Sequence, residues 1–133
     1  MRFRRKELPA DLVRAEAAFR AVLDEVEPAK AGLADVLPGT RMPGRPLHDA
    51  LDELMSRLIR ATALMPGWRR PELEDVWTRC EAGLTTTRRR AEQTIEREPE
   101  IAGFEQLLGA VERLLDPLEP FGEAEDRFRE LRR

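Results

Sequence analysis

The chain's 133 residues suffice for one domain with its own core, and 41% hydrophobic beside 37% charged residues describes a charge-rich globular protein, not a disordered one. A net charge of −3 with both signs interspersed lacks the basic excess of a dedicated nucleic-acid binder, so a nucleic-acid partner is not expected. No stretch approaches the ~20 apolar residues of a membrane span, and Cys80, the lone cysteine, has no internal partner for a disulfide.

At the start, MRFRRKELPADL has no apolar segment behind its charges and does not read as a signal peptide. A cytoplasmic bacterial protein is the expectation, with residues 1–8 as a flexible basic arm. Lys6 and Lys30 are the only lysines, Asn and Tyr are absent, and Ser56 is the only serine. GC-rich codons give that profile, so the preference for Arg is not in itself a sign of phosphate recognition.

Apolar residues then fall at helical spacing. Leu12, Ala15, Phe19, Val22, Val26, Ala29, Leu33 and Val36 alternate steps of three and four straight through Pro28. The unbroken phase predicts one long helix over 9–37, kinked near Pro28, where the ring removes a backbone bond. PGTRMP at 38–43 closes it. A second helix follows on Leu47, Leu51, Leu54, Leu58, Ala61 and Met65, with Pro46 at its start.

PGWRRP at 66–71 repeats the Pro-Gly-x-Arg-x-Pro frame of the earlier turn. Proline ends a helix, glycine closes it, and the second proline opens the next one. The third helix carries Leu73, Trp77, Cys80, Leu84, Thr87, Ala91 and Thr94 on its seam, with Ile95 alongside. Glu72, Glu74 and Asp75 crowd its first turn, where the helix dipole favours acids. The fourth reads Ile101, Phe104, Leu108, Val111, Leu115 and Leu118. Pro117 and Pro120 then bracket a turn before a last short helix on Phe121, Ala124, Phe128 and Leu131. Nothing alternates with period two. The expected fold is all-α: an up-down antiparallel four-helix bundle with a short fifth C-terminal helix, no sheet, and a single domain over 1–133.

Chemistry is sparse. His48 is the only histidine and lacks a Glu three residues before it, which excludes a ferritin-like di-iron site; with Asp52 it supplies two ligands at most. No metal or cofactor is expected. Cys80 lies on the apolar seam, and Ser56 has no histidine at a useful offset, so no nucleophile is set up and no enzyme is expected. Glu53 and Arg57, Asp75 and Arg79, Glu123 and Arg127, and Glu125 and Arg129 are spaced for solvated ion pairs. The basic runs at 2–6 and 88–90 read as solvated faces. Gly83 and the threonines beside Arg88 form a small-residue patch that a second helix could approach.

The expected function is therefore a protein–protein interaction module, by a partner or by self-association. Trp68, Arg69 and Arg70 are its candidate contact, since Trp and Arg are enriched at binding hot spots; Trp68 is otherwise placed as a plug over Met65 and Leu73. The alternative is a small-ligand-binding regulatory bundle with an interior pocket near Trp77, Cys80 and Thr87, because threonine on a seam suits a cavity wall.

Overall fold

A computed structural model describes residues 8–38 and 45–133. The basic run at 2–6 and most of the first Pro-Gly turn lie outside them. Leu8 is half-buried against the core, so the expected arm stops short of it. Five α-helices make up the described chain: α1 (Ala10–Ala34), α2 (Leu47–Leu64), α3 (Glu74–Arg97), α4 (Phe104–Leu115) and α5 (Pro120–Leu131). Single 3-10 turns fill the joints, at Met65–Trp68, Pro71–Leu73, Glu98–Glu100 and Asp116–Leu118. Among the described residues there is no strand, and no helix is long and apolar enough to cross a membrane.

Both N-terminal helices begin directly after a proline. The carbonyls of Pro9 and Pro46 accept the first helical N–H groups, from Val13 at 3.1 Å and Ala50 at 3.2 Å. α1 runs through Pro28, as its seam requires, and all eight predicted seam residues are buried. It ends at Ala34 rather than 37. Residues 35–37 form a turn, and the Asp35 carbonyl accepts the Arg45 N–H at 2.7 Å. Pro28 leaves the Asp24 carbonyl without its helical donor. Arg57 of α2 reaches that oxygen through Nη1 at 3.5 Å.

The same arrangement recurs at Pro117, which frees the Arg113 carbonyl; Arg90 of α3 donates to it at 2.8 Å. One turn away the Thr87 hydroxyl donates to the Leu114 carbonyl at 3.1 Å. Gly83 meets this break so closely that a Cβ would collide with the Pro117 carbonyl. The small-residue patch thus receives the chain's own α4–α5 joint.

α4 corrects one part of the expected seam. Leu107, Val111, Leu114 and Leu118 face inward, with Leu107 only half-buried. Phe104 is 53% exposed, and Ile101, Leu108 and Leu115 are half-buried. Adjacent leucines at 107–108 and 114–115 support two overlapping stripes; the contacts of Thr87 and Gly83 with residues 114–117 select one. α4 starts after Gly103, whose φ of 85° is left-handed backbone that favours glycine. The Gln106 side chain accepts the Ala102 N–H there at 2.8 Å.

α5 continues in the direction of α4. Partners of α3 residues 90, 87, 83, 79 and 75 lie in order at 113, 114, 117, 123 and 127. The bundle is therefore up-down-up-down, with its fourth rod broken by a 3-10 turn. Phe128 stacks near Phe19 at 4.9 Å between ring centroids, which brings α5 back onto α1.

The α2–α3 end is closed by aromatics. Trp68 is fully buried, edge-on to Phe19 at 4.9 Å and 6.0 Å from Phe128. Its indole N–H donates to Met65 Sδ at 3.2 Å, and that of Trp77 to the Met65 carbonyl at 2.8 Å. Neither buried donor is left unmet.

Candidate functional site

The Trp68–Arg69–Arg70 loop is built from the inside. Gly67 lies so near α1 that a Cβ would sit 2.7 Å from the Ala18 Cβ, and this approach seats Trp68 in the core. The expected contact residue Trp68 therefore presents no surface to a partner: the plug is what the fold uses. Arg69 grips Glu74 with two bonds, at 2.6 and 3.1 Å, and its guanidinium carbon stands 4.2 Å from the Trp77 ring centroid. Arg70 bridges Glu72 at 3.0 Å and Asp11 of α1 at 2.9 Å. These bonds hold the carboxyls of Glu72, Glu74 and Asp11 below their ordinary values. Both arginines are engaged in tying the loop to α1 and α3.

Trp77, Cys80 and Thr87 are likewise buried. The polar groups of Trp77 and Thr87 are taken by Met65 and Leu114, and burial pushes the Cys80 thiol up to about 12. The residues expected to line an interior pocket instead complete the packing between α3, the Pro-Gly turn and α4. His48 is exposed at the opposite end. Its ring nitrogens stand 3.2 Å from Glu98 and 3.3 Å from Asp52, joining the start of α2 to the end of α3. Among the described residues, no group of three or more His, Cys, Asp or Glu side chains converges as metal ligands would.

The charged surface holds a different candidate. Arg20, Arg45, Arg57, Arg60, Arg69, Arg70, Arg79, Arg127, Arg129 and Arg132 each have a carboxylate within 4.0 Å. Arg14, Arg88, Arg89, Arg90, Arg97, Arg113 and Arg133 have none among the described residues. Arg88 also carries a buried Nε with no acceptor. Three of this set, Arg90, Arg97 and Arg113, line one cleft of about 380 Å³ between the C-terminal half of α3 and α4. Glu100 is its only acid, and Gln93, Thr94, Ile101, Gln106, Gly109 and Ala110 supply the rest.

Helix geometry explains the convergence. Residues 90, 94 and 97 share one face of α3, and 106, 109, 110 and 113 share the facing side of α4. Arg90 is held in place by its bond to the Arg113 carbonyl, and the remaining guanidinium N–H groups stay available. The sequence held a signal for this site. The paired arginines 57, 79, 127 and 129 each follow an acid by four residues, whereas Thr86, Gln93 and Gly109 stand four before Arg90, Arg97 and Arg113. No family model, curated protein or solved structure matches the chain.

Proposed function

We propose that this bundle is a binding module whose working surface is the α3–α4 cleft and whose ligand presents an anionic group there. One observation carries the reading: three arginines with no carboxylate partner among the described residues, Arg90, Arg97 and Arg113, line a single cleft whose only acid is Glu100. Like charges brought together repel. A chain with more acids than bases has ample means to neutralise them, so their isolation favours a guest that supplies the missing charge. The guanidinium fork suits carboxylate or phosphate oxygens.

This relocates the small-ligand alternative from the interior to a surface cleft one turn beyond Thr87. It also changes the form of the protein-partner expectation, since an acidic segment of another protein presents the same charge. Titration with pyrophosphate at fixed ionic strength tests the reading. The melting temperature of the wild type should rise, because a ligand of the folded state stabilises it by mass action. An Arg97→Gln/Arg113→Gln variant should melt no lower than wild type without ligand, having lost mutual repulsion, and should not respond to pyrophosphate. An equal response from both proteins would sink the reading.

A further inference from the structure

Resting on that anion-binding reading, we infer that the cleft takes a small phosphate monoester with a neutral, hydroxyl-bearing body, of about the size of a nucleoside monophosphate. Charge is the first support. Three guanidiniums against one carboxylate leave an excess of two positive charges, and a phosphate monoester carries about −1.5 to −2 near neutral pH.

Size is the second. The cleft's 380 Å³ falls within the ~300–1,000 Å³ of organic-ligand sites and leaves a bare inorganic anion surrounded by water. Its α4 wall is open: a Cβ on Gly109 would meet nothing within 4 Å.

The order of the lining along the helices is the third. Arg90 and Arg113 meet near the middle of the bundle, joined by the bond to the Arg113 carbonyl. Arg97 lies about two turns further along α3, and Glu100 and Ile101 stand at the α3–α4 turn. The phosphate belongs with the arginines. The body then extends toward the turn, where the Glu100 carboxylate accepts from hydroxyls, repels a second anion, and Ile101 offers apolar surface.

Calorimetric titration of the full chain with adenosine 5′-monophosphate, ribose 5-phosphate, inorganic phosphate, adenosine and a glutamate-rich peptide tests this. Both monoesters should bind at least tenfold tighter than inorganic phosphate, and adenosine should give no heat. Gly109→Leu should abolish monoester binding while keeping or raising the melting temperature, since leucine is the better helix former and enters open space. Inorganic phosphate binding as tightly as the monoesters, and lost in Arg97→Gln/Arg113→Gln, overturns the monoester class and leaves the anion reading standing. Binding of the peptide but of neither monoester overturns it in favour of a protein partner. Absence of heat from every anion overturns both.

Discussion

Trp68 shows how far one side chain can be read before its neighbours are known. The Pro-Gly frame and an apolar helix end were legible on either side of it, but the other turn carries Thr40 at the same place, so local chemistry left Trp68 free to face in or out. What decides it is Gly67, which lets the turn lie against Ala18, and Met65, whose sulfur and carbonyl serve the two buried indoles. Trp68→Ala should therefore lower stability by about 3–5 kcal/mol, as truncation of a buried large aromatic does. Urea denaturation followed through Trp77 fluorescence would measure it. A midpoint equal to wild type would mean the cavity collapses without cost or that Trp68 is outside.

Elements were more legible than single residues, and α4 shows where that ends. Strict 3-4 spacing fixed α1, α2 and α3, because a change of phase there would have put charges inside. α4 offered two stripes one residue apart, and only contacts with α3 distinguish them. Ion pairs were legible in the same partial way. Asp75 and Arg79 do approach within the helix, at 3.8 Å, but Arg79 binds Glu123 of α5 at 2.8 Å and Arg127 binds Asp75 at 2.9 Å. Four residues read as two local pairs make one bridge between helices. Gly83 is the other point where elements meet. Gly83→Ala should be strongly destabilising despite alanine's higher helix propensity, because the added methyl forces α3 away from the Pro117 carbonyl. Gly109→Ala, on an open helix face, should be neutral or stabilising by up to about 1 kcal/mol. Thermal melts of the two variants check this contrast; equal shifts would mean the contact between α3 and the α4–α5 joint is looser than described.

Across the whole molecule the bundle follows from the seams, whereas the arginine cleft depends on which charges stay unmatched after folding. The sequence shows no acid four residues before Arg90, Arg97 or Arg113; it does not show that no carboxylate arrives from another helix. The end of the bundle where His48 meets Glu98, beside the cleft, carries a global pH dependence. Glu98, with Asp52 and Asp49, raises the His48 pKa above its ordinary value of 6.5. A raised folded pKa contributes stability below the unfolded value and loses it as pH climbs through the folded one. The carboxyls of Asp11, Glu53, Glu72, Glu74, Asp75 and Glu123 are held low and act in the other sense, losing their contribution as the solution is acidified below about pH 4. Wild type should thus melt above His48→Gln near about pH 6, with the difference vanishing toward about pH 9. A difference that grows with pH would contradict the His48 contacts.

The two prolines within the rods have a consequence for uniqueness. A bundle built on repeating apolar positions is nearly degenerate under translation: one rod slid by seven residues meets an equivalent row of hydrophobic side chains. Pro28 and Pro117 break that symmetry, because each exposes a single acceptor that one arginine on the next rod can reach, Arg57 in one case and Arg90 in the other. Together they act as a vernier. A slipped arrangement keeps its oily contacts but strands an acceptor and misplaces a cation, so the correct alignment is chosen by polar marks that a purely hydrophobic description would treat as flaws.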